Sequence, residues 1–206
     1  MRVAGRWRIE AGGATLAADV LVDAAGAWAD PVAAIAGAAP LGIQAYRRTV
    51  AQLRVAPAVP DSVPLVLDAA GRFYFKPEAG GRLWLSPHDE TPAAAGDAAP
   101  EEIDVATAID RIGAVVDWRV ERVERAWAGL RSFAPDRLPV YGFDAAVPGF
   151  FWFAGQGGFG IQTAPAAARL GAALLTGATP DASIANIDAA RYAPGRLRRR
   201  PCASGS

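Results

Sequence analysis

The 206-residue chain carries 21 basic and 21 acidic residues, so its formal net charge is zero and gives no electrostatic basis for binding nucleic acid or an anionic membrane. Its one cysteine, Cys202, excludes an internal disulfide framework and a cysteine metal cluster, and we expect no metal site. No apolar run reaches the ~18 residues of a membrane span and the N-terminus lacks the apolar core of a signal peptide, so the expected compartment is the cytoplasm.

Alternating apolar residues and Gly/Pro turns predict short strands over most of the chain, with three helical segments. In chain order the predicted elements are a hairpin over 7–19, a strand over 19–26, a helix over 28–37, antiparallel strands over 47–55, 65–68, 72–77 and 82–86, a helix over 100–112, strands over 116–123, 138–142 and 150–154, and a helix over 161–175. Residues 92–100 are expected to form a loop.

The most informative stretch is 150–175, FFWFAGQGGFGIQTAPAAARLGAALL. A strand, a glycine cluster and a helix start follow one another, which is the arrangement that directs backbone N–H groups and the positive end of a helix dipole at an anionic ligand. Gly155, Gly157 and Gly160 also fit the dinucleotide spacing G-x-G-x-x-G, although no further strand completes a βαβ unit. From spacing alone, a ligand-binding turn and a turn without a ligand remain equally open.

Four blocks resemble the FAD-dependent D-amino-acid oxidase (DAO) superfamily, in the order that family has them. They are VLVDAAGAWAD (20–30), YRRT with GRFYFKPEAG (46–49 and 71–80), WAGLRSFAPDRLPVYG (127–142) and FFWFAGQGGFGIQTAP (150–165). The residues of the last three blocks are most similar to those of bacterial D-arginine dehydrogenase.

The resemblance implies an α/β fold, with an incomplete FAD-binding Rossmann-like part and an inserted, mainly antiparallel β-sheet part that binds substrate. The expected FAD-binding part is 1–45 with 132–190, the substrate part is 46–131, and 191–206 is a solvated tail. Family members are about twice as long and begin with the loop that binds the FAD pyrophosphate. The chain is therefore expected to be the C-terminal portion of such an enzyme, with the N-terminal half missing.

The same resemblance implies FAD as cofactor and a small D-amino acid or related amine as substrate, oxidised by hydride transfer to flavin N5. Alternatives are a glycine or sarcosine oxidase-like enzyme and a truncated, non-catalytic fragment that does not bind FAD alone. Flavin contacts are expected from the glycine turn and the small residues after the early strand: Ala24, Ala25, Gly26, Trp28, Gly155, Gly157, Gly158, Phe159, Gly160, Ile161, Gln162 and Thr163.

Arg131 matches the family arginine that binds the substrate carboxylate. An arginine suits this role because its planar guanidinium can donate two parallel hydrogen bonds to a carboxylate. Arg48 matches a second such arginine, Tyr74 a tyrosine whose hydroxyl reaches the carboxylate, and Gly158 completes the expected substrate set. No side chain is assigned as a catalytic acid or base. The single histidine, His88, is expected to be a solvated loop residue, and Asp136 to anchor a turn.

Overall fold

The computed structural model describes residues 1–198 and confirms the mixed α/β class, with antiparallel sheets. The strands are β1 (Arg2–Val3), β2 (Arg6–Ala11), β3 (Ala14–Ala18), β4 (Leu21–Asp23), β5 (Gln44–Ala56), β6 (Val66–Leu67), β7 (Tyr74–Glu78), β8 (Arg82–Ser86), β9 (Thr91–Ala93), β10 (Arg119–Phe133), β11 (Val140–Phe143) and β12 (Phe150–Ala154). The α-helices are α1 (Ala29–Ala36), α2 (Glu102–Gly113) and α3 (Gly160–Thr176). Three 3-10 segments cover Gly26–Trp28, Ala189–Tyr192 and Pro194–Arg198.

The chain divides into two compact units. Unit 1 comprises Met1–Gln44 and the chain from Arg131 onward, and unit 2 comprises Ala45–Leu130. The division of the chain into FAD-binding and substrate-binding parts stays a prediction.

Unit 1 is built on a three-stranded sheet with the order β11-β12-β4, in which β12 runs parallel to β4 and antiparallel to β11. The side chains of β12 alternate between two cores. Phe150 and Trp152 pack with the small buried side chains of α1 on one face, whereas Phe153 packs with Leu170 of α3 on the other. The hairpin of β1 to β3 is joined to the first core by Trp7, whose indole N–H donates to the Gly149 carbonyl at 2.8 Å.

Unit 2 is an antiparallel sheet with the strand order β10-β5-β8-β7-β6, and β9 pairs with the other end of β5. Leu53, Leu83 and Leu85 are fully buried on one face, where Ala108 and Ile112 of α2 cover them. Because side chains alternate along a strand, the polar residues between these leucines lie on the opposite face.

Three elements differ from the sequence prediction. A single 15-residue strand, β10, replaces the separate segment predicted over 116–123 and continues through Trp127 and Gly129. The predicted loop over 92–100 begins with the end of β9, because its backbone pairs with β5. The strand predicted over 19–26 is limited to the three residues of β4, since Ala25 and Gly26 turn away from the sheet.

The predicted solvated tail is also different where it can be described. Arg196 donates to the Asp136 carboxylate at 2.7 Å, which also holds Asp136 in the turn role expected of it. Arg198 pairs at 2.7 Å with Asp144, a buried carboxylate. Residues 199–206, with Cys202, lie outside the described residues.

Candidate active site

The glycine turn of unit 1 connects the buried strand β12 to helix α3, as the sequence predicts. Gly155 (φ +72°) and Gly157 (φ +59°) adopt the left-handed backbone conformation that glycine accepts without strain. Helix α3 then begins at Gly160. The expected residues Gly155 to Thr163 are therefore brought together as one strand–turn–helix elbow.

Gly157 is required at this elbow by packing as well as by backbone conformation. A Cβ atom on Gly157 would lie 2.4 Å from the Phe133 ring, closer than any non-bonded carbon contact. The Gly157 N–H donates to the Ser132 carbonyl at 2.8 Å. The turn is thus held directly against the end of β10.

The first turn of α3 presents unpaired backbone donors. Within residues 1–198, the first N–H in α3 with a carbonyl partner is that of Thr163, which donates to the Phe159 carbonyl at 2.9 Å, and no side chain caps the helix. The preceding N–H groups, those of Gly160, Ile161 and Gln162, are the ones that a helix leaves without an internal partner. Phe159 is 63% exposed and Ile161 96% exposed. Donors, the positive end of the dipole and apolar surface therefore occur together.

Arg131 lies at the same elbow. Its Nη1 atom would be 3.0 Å from a Cβ on Gly158, so the guanidinium lies directly against the Gly158 backbone. The side chain is half-buried. Within residues 1–198 no hydrogen bond or ion pair involves its guanidinium. A half-buried cation beside free backbone donors is suited to an anionic ligand.

A cavity of about 410 Å³ opens beside the elbow and is lined by Gln156, Phe159, Thr163, Tyr141 and Leu170, among others. The Tyr141 hydroxyl donates to Gln156 Oε1 at 2.7 Å, which orients the amide toward the turn. Burial raises the pKa of Tyr141 above its ordinary value. The tyrosine therefore acts here as a neutral hydrogen-bond donor.

The small residues after β4 form a tight turn. Ala25 N–H donates to Asp23 Oδ1 at 3.1 Å, and Gly26 has φ +61° with no atom within 4 Å of where a Cβ would be. Gly26 is thus required by its backbone conformation, and no neighbouring atom approaches it. Trp28, expected beside the cofactor, is 47% exposed.

Arg48 of unit 2 is 4% exposed and already bonded. Its Nε donates to the Asp89 carbonyl at 2.7 Å and its Nη2 to Glu90 at 3.2 Å. The neighbouring Arg47 bonds instead to Asp104 of α2, at 2.7 Å, and to Glu101. Both consecutive arginines contact Asp89, since Arg47 Nε also lies 3.7 Å from its carboxylate, but it is Arg47 that bonds to α2 and to its N-cap residue.

Tyr74 begins β7 and is half-buried. In the described part of the chain its hydroxyl has no hydrogen-bond partner. Its ring packs edge-on against His88, with centroids 5.6 Å apart. His88 adopts φ +57°, and its Nδ1 lies 2.7 Å from the Gly71 carbonyl, which can only accept, so Nδ1 is the donor.

Sequence reasoning missed the contact between His88 and Tyr74, because it joins a loop to a strand that lies fourteen positions away. The signal available was the histidine in a turn, a residue type that tolerates the left-handed region. Among residues 1–198 no group of acidic, histidine or cysteine side chains could hold a metal ion. Nor does any helix there have the length and apolar character needed to cross a membrane.

Comparisons with known proteins identify the family of the chain. The family model described as "DAO: FAD dependent oxidoreductase" matches residues 1–174. A glycine oxidase from Pseudomonas putida is 30% identical over 195 residues, covering 88% of this chain and 47% of that protein. The chain thus spans about half the length of this relative.

Solved structures show the same fold. Glycine oxidase from Geobacillus kaustophilus matches with a TM-score of 0.70 and 24% identity, covering 90% of this chain and 48% of that one. L-proline dehydrogenase from P. horikoshii matches with a TM-score of 0.76 and 21% identity, covering 93% and 50%. The chain belongs to the DAO family of FAD-dependent oxidoreductases.

Proposed function

We propose that this chain supplies the flavin-edge and carboxylate-binding part of an enzyme that oxidises an amino acid, with a D-amino acid as the first candidate substrate. The observation that carries the proposal is Arg131, a half-buried cation without an acidic partner in the described chain, lying against Gly158 at the glycine elbow. A half-buried guanidinium without a counter-charge loses hydration that a bound anion would compensate, so its position favours an anionic ligand.

The elbow fits the electron-rich edge of a flavin. Reduced flavin carries negative charge near N1 and C2=O, where the free N–H groups and dipole of α3 would stabilise it. The Phe133 ring and the Arg131 guanidinium occupy the positions that Cβ atoms of Gly157 and Gly158 would take. Exposed Phe159 and Ile161 offer apolar contact to the ligand. When bound, FAD supplies the acceptor for the hydride that leaves the substrate Cα. The bound flavin would contact the elbow residues predicted above, with Ala24, Ala25, Gly26 and Trp28 toward its adenosine end.

The role of the protein in this proposal is positioning. Arg131 would hold the substrate carboxylate. Arg48 and Tyr74 of unit 2 stay predicted substrate residues on the family resemblance. Within residues 1–198 the Tyr74 hydroxyl has no hydrogen-bond partner, which supports its assignment. Arg48 would need to share its guanidinium with the Asp89 carbonyl and Glu90. Alignment of Cα–H with the flavin then accounts for much of the catalysis.

Binding of a carboxylate ligand tests the role of Arg131 directly. Arg131→Gln should weaken D-alanine binding by about 1.5–3 kcal/mol, the value of a charge-assisted hydrogen bond. Arg131→Lys should recover part of this loss, because a lysine retains the charge without the bidentate geometry. The matched control is Arg169→Gln, which removes an exposed arginine of α3 that pairs with Asp181. Equal binding by wild type and Arg131→Gln would refute the assignment.

A glycine or sarcosine oxidase-like specificity is the second candidate, supported by the 30% identity to a glycine oxidase. Comparative titration with glycine, sarcosine, D-alanine, D-methionine and D-arginine would separate the two candidates. Tightest binding of the two small amines favours the second.

FAD binding needs its own measurement. Purified chain with added FAD should quench flavin fluorescence and retain the visible flavin absorbance through gel filtration. A colourless protein that gains no flavin would favour the third alternative, a fragment that does not bind FAD alone.

A further inference from the structure

Two indoles and two cations form a row across the sheet of unit 2. Lys76 Nζ lies 5.7 Å from the ring of Trp84, and Trp84 meets Trp127 edge-to-face with centroids 5.4 Å apart. The guanidinium of Arg125 lies 5.7 Å from the Trp127 ring. The row joins β7, β8 and β10, on the face opposite the leucines covered by α2.

This row borders a cavity of about 470 Å³, which is large enough for a small organic molecule. Its lining consists of Gln52, Glu78, Trp84, Arg125 and Trp127, all of them in unit 2. Two of the five are charged, with opposite signs, and two present aromatic surface. The lining therefore combines the contacts that bind a charged ligand with an apolar body.

Glu78 has one oxygen in use and one available. Its Oε2 accepts from the Trp84 indole N–H at 2.8 Å and from the Gln52 amide, and Arg82 lies 3.8 Å from the same oxygen. Within residues 1–198, no hydrogen bond reaches its Oε1. Trp84 and Gln52 thus orient the carboxylate and leave an anionic acceptor at the cavity.

Arg125 is the complementary group. It is exposed and packs on Trp127, but in the part of the chain that the structure describes it makes no hydrogen bond and no ion pair. In particular, it does not pair with Glu78, although both line the cavity. Two opposite charges border one space without neutralising each other.

We infer that this cavity is a second binding site, which takes a zwitterionic α-amino acid. The ammonium group of such a ligand would donate to Glu78 Oε1, its carboxylate would accept from the guanidinium of Arg125, and its side chain would lie on the two indoles. A simple anion would leave Glu78 Oε1 without a donor, and a simple amine would leave the Arg125 guanidinium without an acceptor. The site goes beyond the proposed function because its lining includes none of the proposed substrate residues and it requires no flavin.

Tryptophan indole signals in ¹H–¹⁵N spectra of the full chain provide the test, with Trp84→Phe and Trp127→Phe used to assign them. D-leucine should shift both signals saturably. The analogues 4-methylpentanoate and 3-methylbutylamine each lack one charge, and each should bind at least tenfold more weakly, since a charge-assisted hydrogen bond is worth roughly tenfold or more.

Arg125→Gln and Glu78→Gln should each weaken D-leucine binding at least tenfold, while Arg119→Gln, an exposed arginine of β10 paired with Glu121, should leave it unchanged. Arg131→Gln should also leave these shifts unchanged, which separates this site from the proposed substrate site. The inference is overturned if D-leucine shifts neither indole, if 4-methylpentanoate binds as tightly as D-leucine, or if Arg131→Gln alone abolishes the shifts.

Discussion

Asp23 is a buried carboxylate whose ionised form destabilises the fold. It is 1% exposed at the end of β4, where Oδ1 accepts from the Ala25 N–H and Oδ2 has no partner among the described residues. Burial raises the pKa of Asp23 from 3.8 to about 6; the Ala25 hydrogen bond lowers it slightly, and the charge of Asp30 adds to the rise. The folded state therefore favours the protonated acid.

The magnitude follows from this difference in pKa. At about 1.4 kcal/mol for each pKa unit, ionisation of Asp23 removes up to about 3 kcal/mol from the free energy of unfolding. Because folding raises the pKa of Asp23, its contribution to stability is greatest below pH 4 and is lost as the pH rises to about 6. Asp23→Asn removes the charge but keeps a buried polar group, so we expect a gain of about 2 kcal/mol at pH 7.5 and none at pH 4.

Urea denaturation followed by tryptophan fluorescence between pH 4 and pH 8 measures this gain. The matched comparison is Asp144→Asn. Burial alone would raise the pKa of Asp144, but hydrogen bonds from the Trp152 indole and the backbone, with the charge of Arg198, lower it overall. Asp144 therefore stabilises the fold above its unfolded pKa, and Asp144→Asn should be destabilising at pH 7.5. The reasoning is refuted if Asp23→Asn has no higher free energy of unfolding than wild type at pH 7.5, or if its gain is the same at pH 4 and pH 7.5.

Two further substitutions test the elements around the elbow. Gly157→Ala should lower the free energy of unfolding by about 3 kcal/mol, because its Cβ would overlap the Phe133 ring and φ is +59°. The control Gly177→Ala, with φ +71° and open space around the Cβ, should lower it by about 1 kcal/mol. Similar losses for the two variants in urea titrations would contradict the packing argument. Trp7→Phe should lower the free energy of unfolding by about 1–2 kcal/mol, since the Gly149 carbonyl loses its indole donor. Amide hydrogen exchange in β2 should become faster. Unchanged protection in β2 would show that the indole N–H does not hold the hairpin.

Local sequence patterns were sufficient for most of the fold. The hairpin around Gly12-Gly13, the strand β8 and the helix that ends at Gly37 follow from alternation, turn glycines and a left-handed C-terminal residue. The length of β10 was missed because Gly129 weakens strand propensity, and only pairing with β5 keeps the strand continuous. Contacts between distant segments, such as the indole pair of Trp84 and Trp127, have no local signal.

The family resemblance predicted both the elbow and Arg131, and the structure adds the contact between them. Gly158 has an ordinary backbone conformation, so its φ angle alone does not require glycine. What restricts it is the guanidinium of Arg131, which a Cβ would meet at 3.0 Å. The LRSF and QGGFG segments therefore pack together, and Gly158 makes room for the Arg131 guanidinium two residues before α3 begins. By contrast, nothing adjacent in sequence to Arg48 indicates that the Asp89 carbonyl and Glu90 already occupy its guanidinium. This difference in local packing is the physical reason why the proposed function rests on Arg131 and not on Arg48.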